Sequence, residues 1–185
     1  MEPGRASCRC FCASEPLNPH TADSPSSDSQ QVIGIDLGGT AIKLARFNRQ
    51  GELQAELSID TPQPAVPGAV TVALCEAIDR LDPTRLAGLV GVGLPGPMDA
   101  SARVARVCIN LPGWDDVPLA DWLEVRLERR VTLANDGNCA LVGEAWCGAA
   151  QGFSDVVLLT LGTGVGGGVM LGGQLFTGHN GAAAE

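Results

Sequence analysis

Two stretches of this chain share one pattern: an apolar run, a glycine-threonine turn, and a second apolar run. Asp36, Gly38, Gly39 and Thr40 form the first turn, and Gly162, Thr163 and Gly164 the second. Between them lies the polar tetrad Asn135, Asp136, Gly137 and Asn138. These are residue types suited to phosphoryl transfer. Glycines at a turn leave main-chain N–H groups uncovered, so an anion can approach them without meeting a side chain. Thr40 adds a hydroxyl donor. Asp36 is acidic within an otherwise apolar run and is suited to holding a hydrated divalent cation against phosphate oxygens. The competing reading is a plain hairpin whose Asp caps the turn.

Asp136 follows the apolar run 131–134 and precedes a helical stretch over 139–150. A carboxylate at such a strand-to-helix junction faces the crevice at the carboxyl end of an α/β sheet, where it can accept the proton of an attacking hydroxyl. Helix capping, for which Asp and Asn are preferred, is the alternative.

The elements that must position these residues follow from periodicity. Alternating or continuous apolar runs predict strands over 32–37, 40–48, 52–59, 86–94, 102–109, 131–134, 156–161 and 165–171. Helical spacing predicts helices over 68–81, with Val72, Cys75 and Ile78 inward, and over 118–127, with Leu119, Trp122, Leu123 and Leu127 on one face. Trp114 reads as a core anchor. Two G-x-G-x-x-G matches, at 91–96 and 162–167, lack the following helix that a dinucleotide site requires. The single lysine, Lys43, follows Ile42, which excludes a Walker A loop.

Composition narrows the classes further. A net charge of −9 offers no basic patch for nucleic acid or an anionic membrane, and 45% hydrophobic residues are ample for a core. An anionic ligand must therefore be held by backbone donors and a metal ion. Cys75, Cys108, Cys139 and Cys147 lack ligand spacing and read as buried thiols of a reducing, cytoplasmic protein. Residues 1–30 are rich in Ser, Pro and Ala and read as a disordered tail. Its Cys8, Cys10 and Cys12 are not assigned a metal.

The ordered set IGIDLGGTAIK (33–43), GVGLPGPMD (91–99), NLPGW (110–114), NDGN (135–138), LTLGTGVGGGVM (159–170) and GAAAE (181–185) resembles the ROK family of bacterial sugar kinases, regulators and open reading frames, and most of all its glucokinases. The resemblance implies an α/β, actin-like (ribonuclease H-like) ATPase fold. On that reading residues 31–150 are a complete first lobe carrying the sugar-binding and catalytic loop, and 151–185 begin a second. It implies ATP-dependent phosphorylation of a hexose, glucose first, with ATP phosphates between the 38–40 and 162–164 turns. Mg2+ would be held through water at Asp36. Asp136 would be the general base, and Gly96, Asn110, Asn135 and Glu185 would bind the sugar. The family's structural zinc is not expected, because its Cys segment is not in this sequence. A hexose is the implied partner, without nucleic acid or membrane, and members of the family often form homo-oligomers. A sugar-sensing regulator of the same family and an inactive kinase fragment are the competing implications. Two departures stand out: Gly137 where the family carries Ala, which raises backbone entropy beside the base, and Ala184 where it carries Gly.

Overall fold

The computed structural model describes residues 31–108, 110–161, 165–179 and 181–184. The turn glycines Gly162 and Gly164, Thr163 between them, and Glu185 lie outside the described residues, as does the 1–30 segment with its three cysteines.

Strand β1 (Gln31–Leu37) turns through residues 38–40 into β2 (Ala41–Phe47), which returns as β3 (Leu53–Asp60). Helix α1 (Pro67–Leu81) leads to β4 (Ala87–Leu94). The short pair β5 (Ala105–Val107) and β6 (Asp115–Val117) precedes helix α2 (Leu119–Leu127) and β7 (Arg130–Asn135). The first sheet has the order β3-β2-β1-β4-β7, antiparallel on the hairpin side and parallel between β1, β4 and β7. Helix α3 (Asp136–Cys147) then leads to β8 (Val156–Leu161), β9 (Val165–Leu171) and β10 (Gln174–Leu175), a sheet of order β10-β9-β8. That order repeats the β3-β2-β1 arrangement of the first sheet. Both glycine-threonine turns therefore link the first two strands of an equivalent meander, which is the physical content of the repeat seen in sequence.

Pleating explains how the first sheet is covered. Ile33, Ile35 and Leu37 of β1, Ile42 and Leu44 of β2, and Val90, Val92 and Leu94 of β4 are buried on one face, beneath α1 and α2. Helix α1 presents Val70, Leu74, Cys75, Ala77, Ile78 and Leu81 to it. Val72, expected inward, is exposed, because it falls about 180° from the direction that the buried Val70 and Leu74 define. Trp122 of α2 is likewise exposed, and Leu119, Ala120, Leu123 and Leu127 form the buried face. The strand expected over 102–109 shrinks to β5, since residues 99–104 fold back on the Asp99 carboxylate, which accepts from the N–H groups of Ser101, Arg103 and Val104.

Helix α3 covers the opposite face of the sheet, where β4 offers Gly91 and Gly93 in place of side chains. It contacts β9 and β8 more extensively than the first sheet. The end of the sheet remote from the site is locked by Asp82, fully buried at the end of α1. Its carboxylate meets Arg46 of β2 and Arg129 before β7 at 2.8 Å each and accepts from the N–H groups of Leu86 and Ala87. No helix among the described residues is long and apolar enough to cross a membrane.

Candidate active site

The carboxyl ends of β1, β4 and β7 lie side by side. Asp36 is in register with Gly93, Gly93 with Ala134, and Leu94 with Asn135. Helix α3 opens at this edge, three residues earlier than periodicity indicated, so Asp136 occupies its first turn. Capping is done by Asn135, whose Oδ1 accepts from the Asn138 N–H at 2.9 Å. Among the described residues Asp136 Oδ1 accepts only from the adjoining Gly137 N–H, at 2.8 Å, and Asp136 is exposed. Capping thus falls to Asn135, and the exposed Asp136 carboxylate lies in the first turn of the helix, where negative charge is favoured.

Asp36 projects on the same face of the sheet as α3. The thiol of Cys139, one turn beyond Asp136, lies over Gly93, with its sulfur 3.3 Å from where a β-carbon would stand. The cysteine retains solvent contact, yet desolvation of the thiol, together with the negative charges of Asp136 and Asp36, pushes it up to about 11. The register of Asp36 with Gly93, and the place of Cys139 one turn from Asp136, bring carboxylates from two elements towards the same thiol. Cys147 is exposed as well, so only Cys75 and Cys108 of the four cysteines match the expected burial.

The 38–40 turn has a defined geometry. The Gly38 N–H closes the turn on the Ala41 carbonyl at 3.1 Å, so it is not an available anion donor as the sequence suggested. A β-carbon at Gly38 would stand 2.8 Å from that same oxygen. Gly39 and Thr40 are exposed, and their N–H groups have no acceptor among the described residues. Around Gly39 the space is open. Thr61 and Gln63, which sequence reasoning passed over, brace the turn from behind: Thr61 Oγ1 donates to the Gly38 carbonyl and Gln63 Nε2 to that of Gly39. The signal was a polar residue ending an amphipathic strand, followed by Pro62.

Of the expected sugar-binding residues, Gly96 and Asn135 are brought together, with Asn135 Nδ2 donating to the Gly96 carbonyl at 3.4 Å. Gly96 has φ +92° and sits against Val107, whose oxygen would be 2.0 Å from a β-carbon, so only glycine fits. Asn110 lies on an exposed turn and makes no hydrogen bond to Asn135 or Asp136 among the described residues. That turn is fixed by Trp114, 2% exposed, whose Nε1 donates to the Ala65 carbonyl at 2.8 Å; the indole is the core anchor anticipated.

The N-terminal turn of α3 lies directly on β9. A β-carbon at Gly137 would be 2.3 Å from the Gly167 oxygen, and one at Gly168 3.0 Å from Leu141. Asp136 is thus placed beside the hairpin that carries the second glycine-threonine turn.

A profile of the ROK family matches residues 32–185. The chain belongs to the ROK family. It is 38% identical over 155 residues to a glucokinase of Thermotoga maritima, an alignment covering 84% of this chain and 49% of the relative. It is 36% identical to an N-acetyl-D-glucosamine kinase of Pasteurella multocida, covering 82% and 50%. Among solved structures, a ROK glucokinase from Streptomyces griseus in complex with glucose and AMPPNP superposes with a TM-score of 0.78 at 34% identity, covering 84% of this chain and 49% of that one. A ROK hexokinase from Thermus thermophilus gives 0.73 at 38% identity, covering 84% and 52%. The ROK chain described here thus has the actin-like ATPase fold, and it spans about half the length of the curated relatives it matches.

Proposed function

We propose that this ROK protein transfers the γ-phosphoryl group of ATP to the primary hydroxyl of a hexose, glucose before others, with Asp136 as general base. The observation that carries the reading is the state of the tetrad. Asn135 caps α3, which leaves the exposed Asp136 carboxylate in the first turn, one turn from Cys139, whose sulfur lies over Gly93, the register partner of Asp36; this supports the reading.

In the reaction the hydroxyl oxygen forms a bond to γ-phosphorus while the bond from that phosphorus to the bridging oxygen breaks, releasing ADP. The hydroxyl proton passes to Asp136, a step worth about 10²–10⁴ in rate. The N–H groups of Gly39 and Thr40, together with the turn residues Gly162, Thr163 and Gly164 that the family pattern supplies, hold phosphate oxygens. Asp36 fits a hydrated Mg2+: it is an exposed hard-oxygen ligand beside unpartnered anion donors, and Mg2+ is held by one or two carboxylates plus phosphates. When bound, the ion neutralises charge developing on the phosphates. Gly96, Asn110, Asn135 and Glu185 hold the sugar. Holding hydroxyl and phosphate in line supplies about 7–11 kcal/mol of the barrier. We assign residues 31–150 to the first lobe and 151–185 to the start of a second, in a cytoplasmic homo-oligomer that binds neither nucleic acid nor membrane.

The likeness to N-acetyl-D-glucosamine kinases at 36–38% identity favours an N-acetylated hexosamine as the second acceptor to test. A ROK transcriptional regulator shares the fold at only 20% identity and adds no support for a regulatory role.

A coupled assay of ADP release over a panel of hexoses, with ATP and polyphosphate as donors, tests the reading. Asp136→Asn is expected to cut turnover by about 10²–10⁴ while sugar affinity stays within twofold. Unchanged turnover removes Asp136 from the base role, and no phosphorylated sugar from the unaltered protein refutes the activity.

A further inference from the structure

We propose that Thr61 and Gln63 are positioning residues that aim the Gly39 and Thr40 N–H groups at the nucleotide phosphates, an inference that rests on the kinase reading above. The argument starts from the peptide plane, in which each carbonyl points opposite to the N–H of the next residue. All three carbonyls of the turn are held from one side. Thr61 Oγ1 binds the Gly38 oxygen at 2.7 Å, Gln63 Nε2 the Gly39 oxygen at 3.0 Å, and the Thr61 N–H the Thr40 oxygen at 2.9 Å. With the Gly38 and Gly39 carbonyls pinned toward the 61–66 segment, the N–H groups of Gly39 and Thr40 must point away from it, and these are the two that find no acceptor among the described residues.

The brace is itself anchored. Thr61 is 4% exposed, so its hydroxyl has little recourse to water if the Gly38 carbonyl is lost. Pro62 and Pro64 fix φ on either side of Gln63 and limit the freedom of the segment. Two residues from Gln63, the Ala65 carbonyl accepts from Trp114 Nε1, which ties the segment to the turn carrying Asn110. The phosphate turn and the turn assigned to sugar binding therefore share one support.

The test uses the full chain in four forms: unaltered, Thr61→Val, Thr61→Ser and Gln63→Ala. Valine keeps the shape and the Thr61 N–H but removes the hydroxyl, serine restores the hydroxyl, and Gln63 is exposed, so that variant retains the fold. The first readout needs no ligand: backbone 15N order parameters of Gly39 and Thr40 are expected to fall in Thr61→Val and Gln63→Ala and to recover in Thr61→Ser. The second is AMPPNP binding with Mg2+, expected to weaken about tenfold in Thr61→Val and two- to threefold in Gln63→Ala, with Thr61→Ser within twofold of the parent and hexose binding unmoved. Order parameters and AMPPNP affinity both unaltered in Thr61→Val overturn the proposal. Loosening of the turn without any AMPPNP binding by the parent instead removes the nucleotide reading and leaves the brace established.

Discussion

Gly137 allows the sharpest test of the packing that places Asp136. Judged by helix propensity alone, Gly137→Ala ought to stabilise α3 by about 0.5–1 kcal/mol, since glycine loses the most backbone freedom on folding. The structure reverses that expectation. The added methyl would lie 2.3 Å from the Gly167 oxygen, with the Gly167 carbonyl carbon and nitrogen at 3.0 and 3.1 Å, whereas ordinary contact begins at about 3.4 Å. The shortfall is about 1 Å, and the obstacle is main chain of β9, where Gly167 pairs with Leu159 of β8 and β10 pairs farther along at Met170 and Leu171. Forcing a methyl into such a site costs about 1–3 kcal/mol. Set against the propensity gain, the net loss is about 1 kcal/mol, a fall of about 2–4 °C in Tm for a chain of this size.

Because β9 is the better held of the two, the strain should be relieved by displacement of the α3 N-terminus, which carries Asp136. A misplacement of about 1 Å is enough to lower turnover by about 10²-fold. Thermal denaturation and the coupled kinase assay on Gly137→Ala read the two effects together. Gly39→Ala, where no atom lies within 4 Å of the added carbon, is the stability control and is expected within about 0.5 kcal/mol of the parent. A Gly137→Ala protein with a raised Tm and unaltered turnover would refute the reasoning, showing that entropy and not close approach governs this position.

Asp82→Asn leaves the buried Arg129 and the half-buried Arg46 without their counter-charge and is expected to lower stability by about 3–5 kcal/mol in urea titration; a loss below about 1 kcal/mol would remove Asp82 as the structural hub. Burial opposes ionisation of Asp82, but the N–H groups of Ala87 and Leu86 and the two guanidinium groups prevail and hold it below the usual carboxylate range. At Asp99 burial is likewise outweighed, by the Ser101 hydroxyl and the N–H groups of Val104, Arg103 and Ser101, and its pKa falls from 3.8 to about 2. Both carboxylates bind fewer protons folded than unfolded, so their contribution is complete above about pH 4 and is lost as pH falls through the folded values. Urea midpoints measured between pH 5 and pH 2 are expected to decline, less steeply in Asp82→Asn, and a midpoint that rises on acidification contradicts the assignment. On the second sheet, Leu159 and Leu161 are 69% and 82% exposed beside Val157 and Val165, on the edge strand β8. Leu159→Lys with Leu161→Glu is expected to suppress concentration-dependent light scattering while shifting stability by less than about 0.5 kcal/mol.

What could be read from sequence was whatever depends on period and turn chemistry. Both glycine-threonine hairpins, the helices over α1 and α2, and the absence of a helix after either G-x-G-x-x-G match follow from local residue order, and the structure has them. What could not be read depends on contacts between distant segments. Nothing in the order of residues shows that the Gly38 N–H is consumed by its own turn, that Thr61 reaches back across 23 positions to the Gly38 carbonyl, or that Cys139 feels both Asp36 and Asp136. The two departures from the family pattern separate these cases. Ala184 was suspect because a glycine conformation is local, and the structure gives it φ +67°, in the left-handed region that costs a non-glycine residue about 1–2 kcal/mol. Gly137 looked like a loss for the same local reason, yet its φ is unremarkable and its meaning lies in Gly167, thirty positions on. A glycine beside the Asp136 carboxylate therefore cannot be weighed by propensity alone, because at the start of a helix the missing methyl is also the space into which another strand fits.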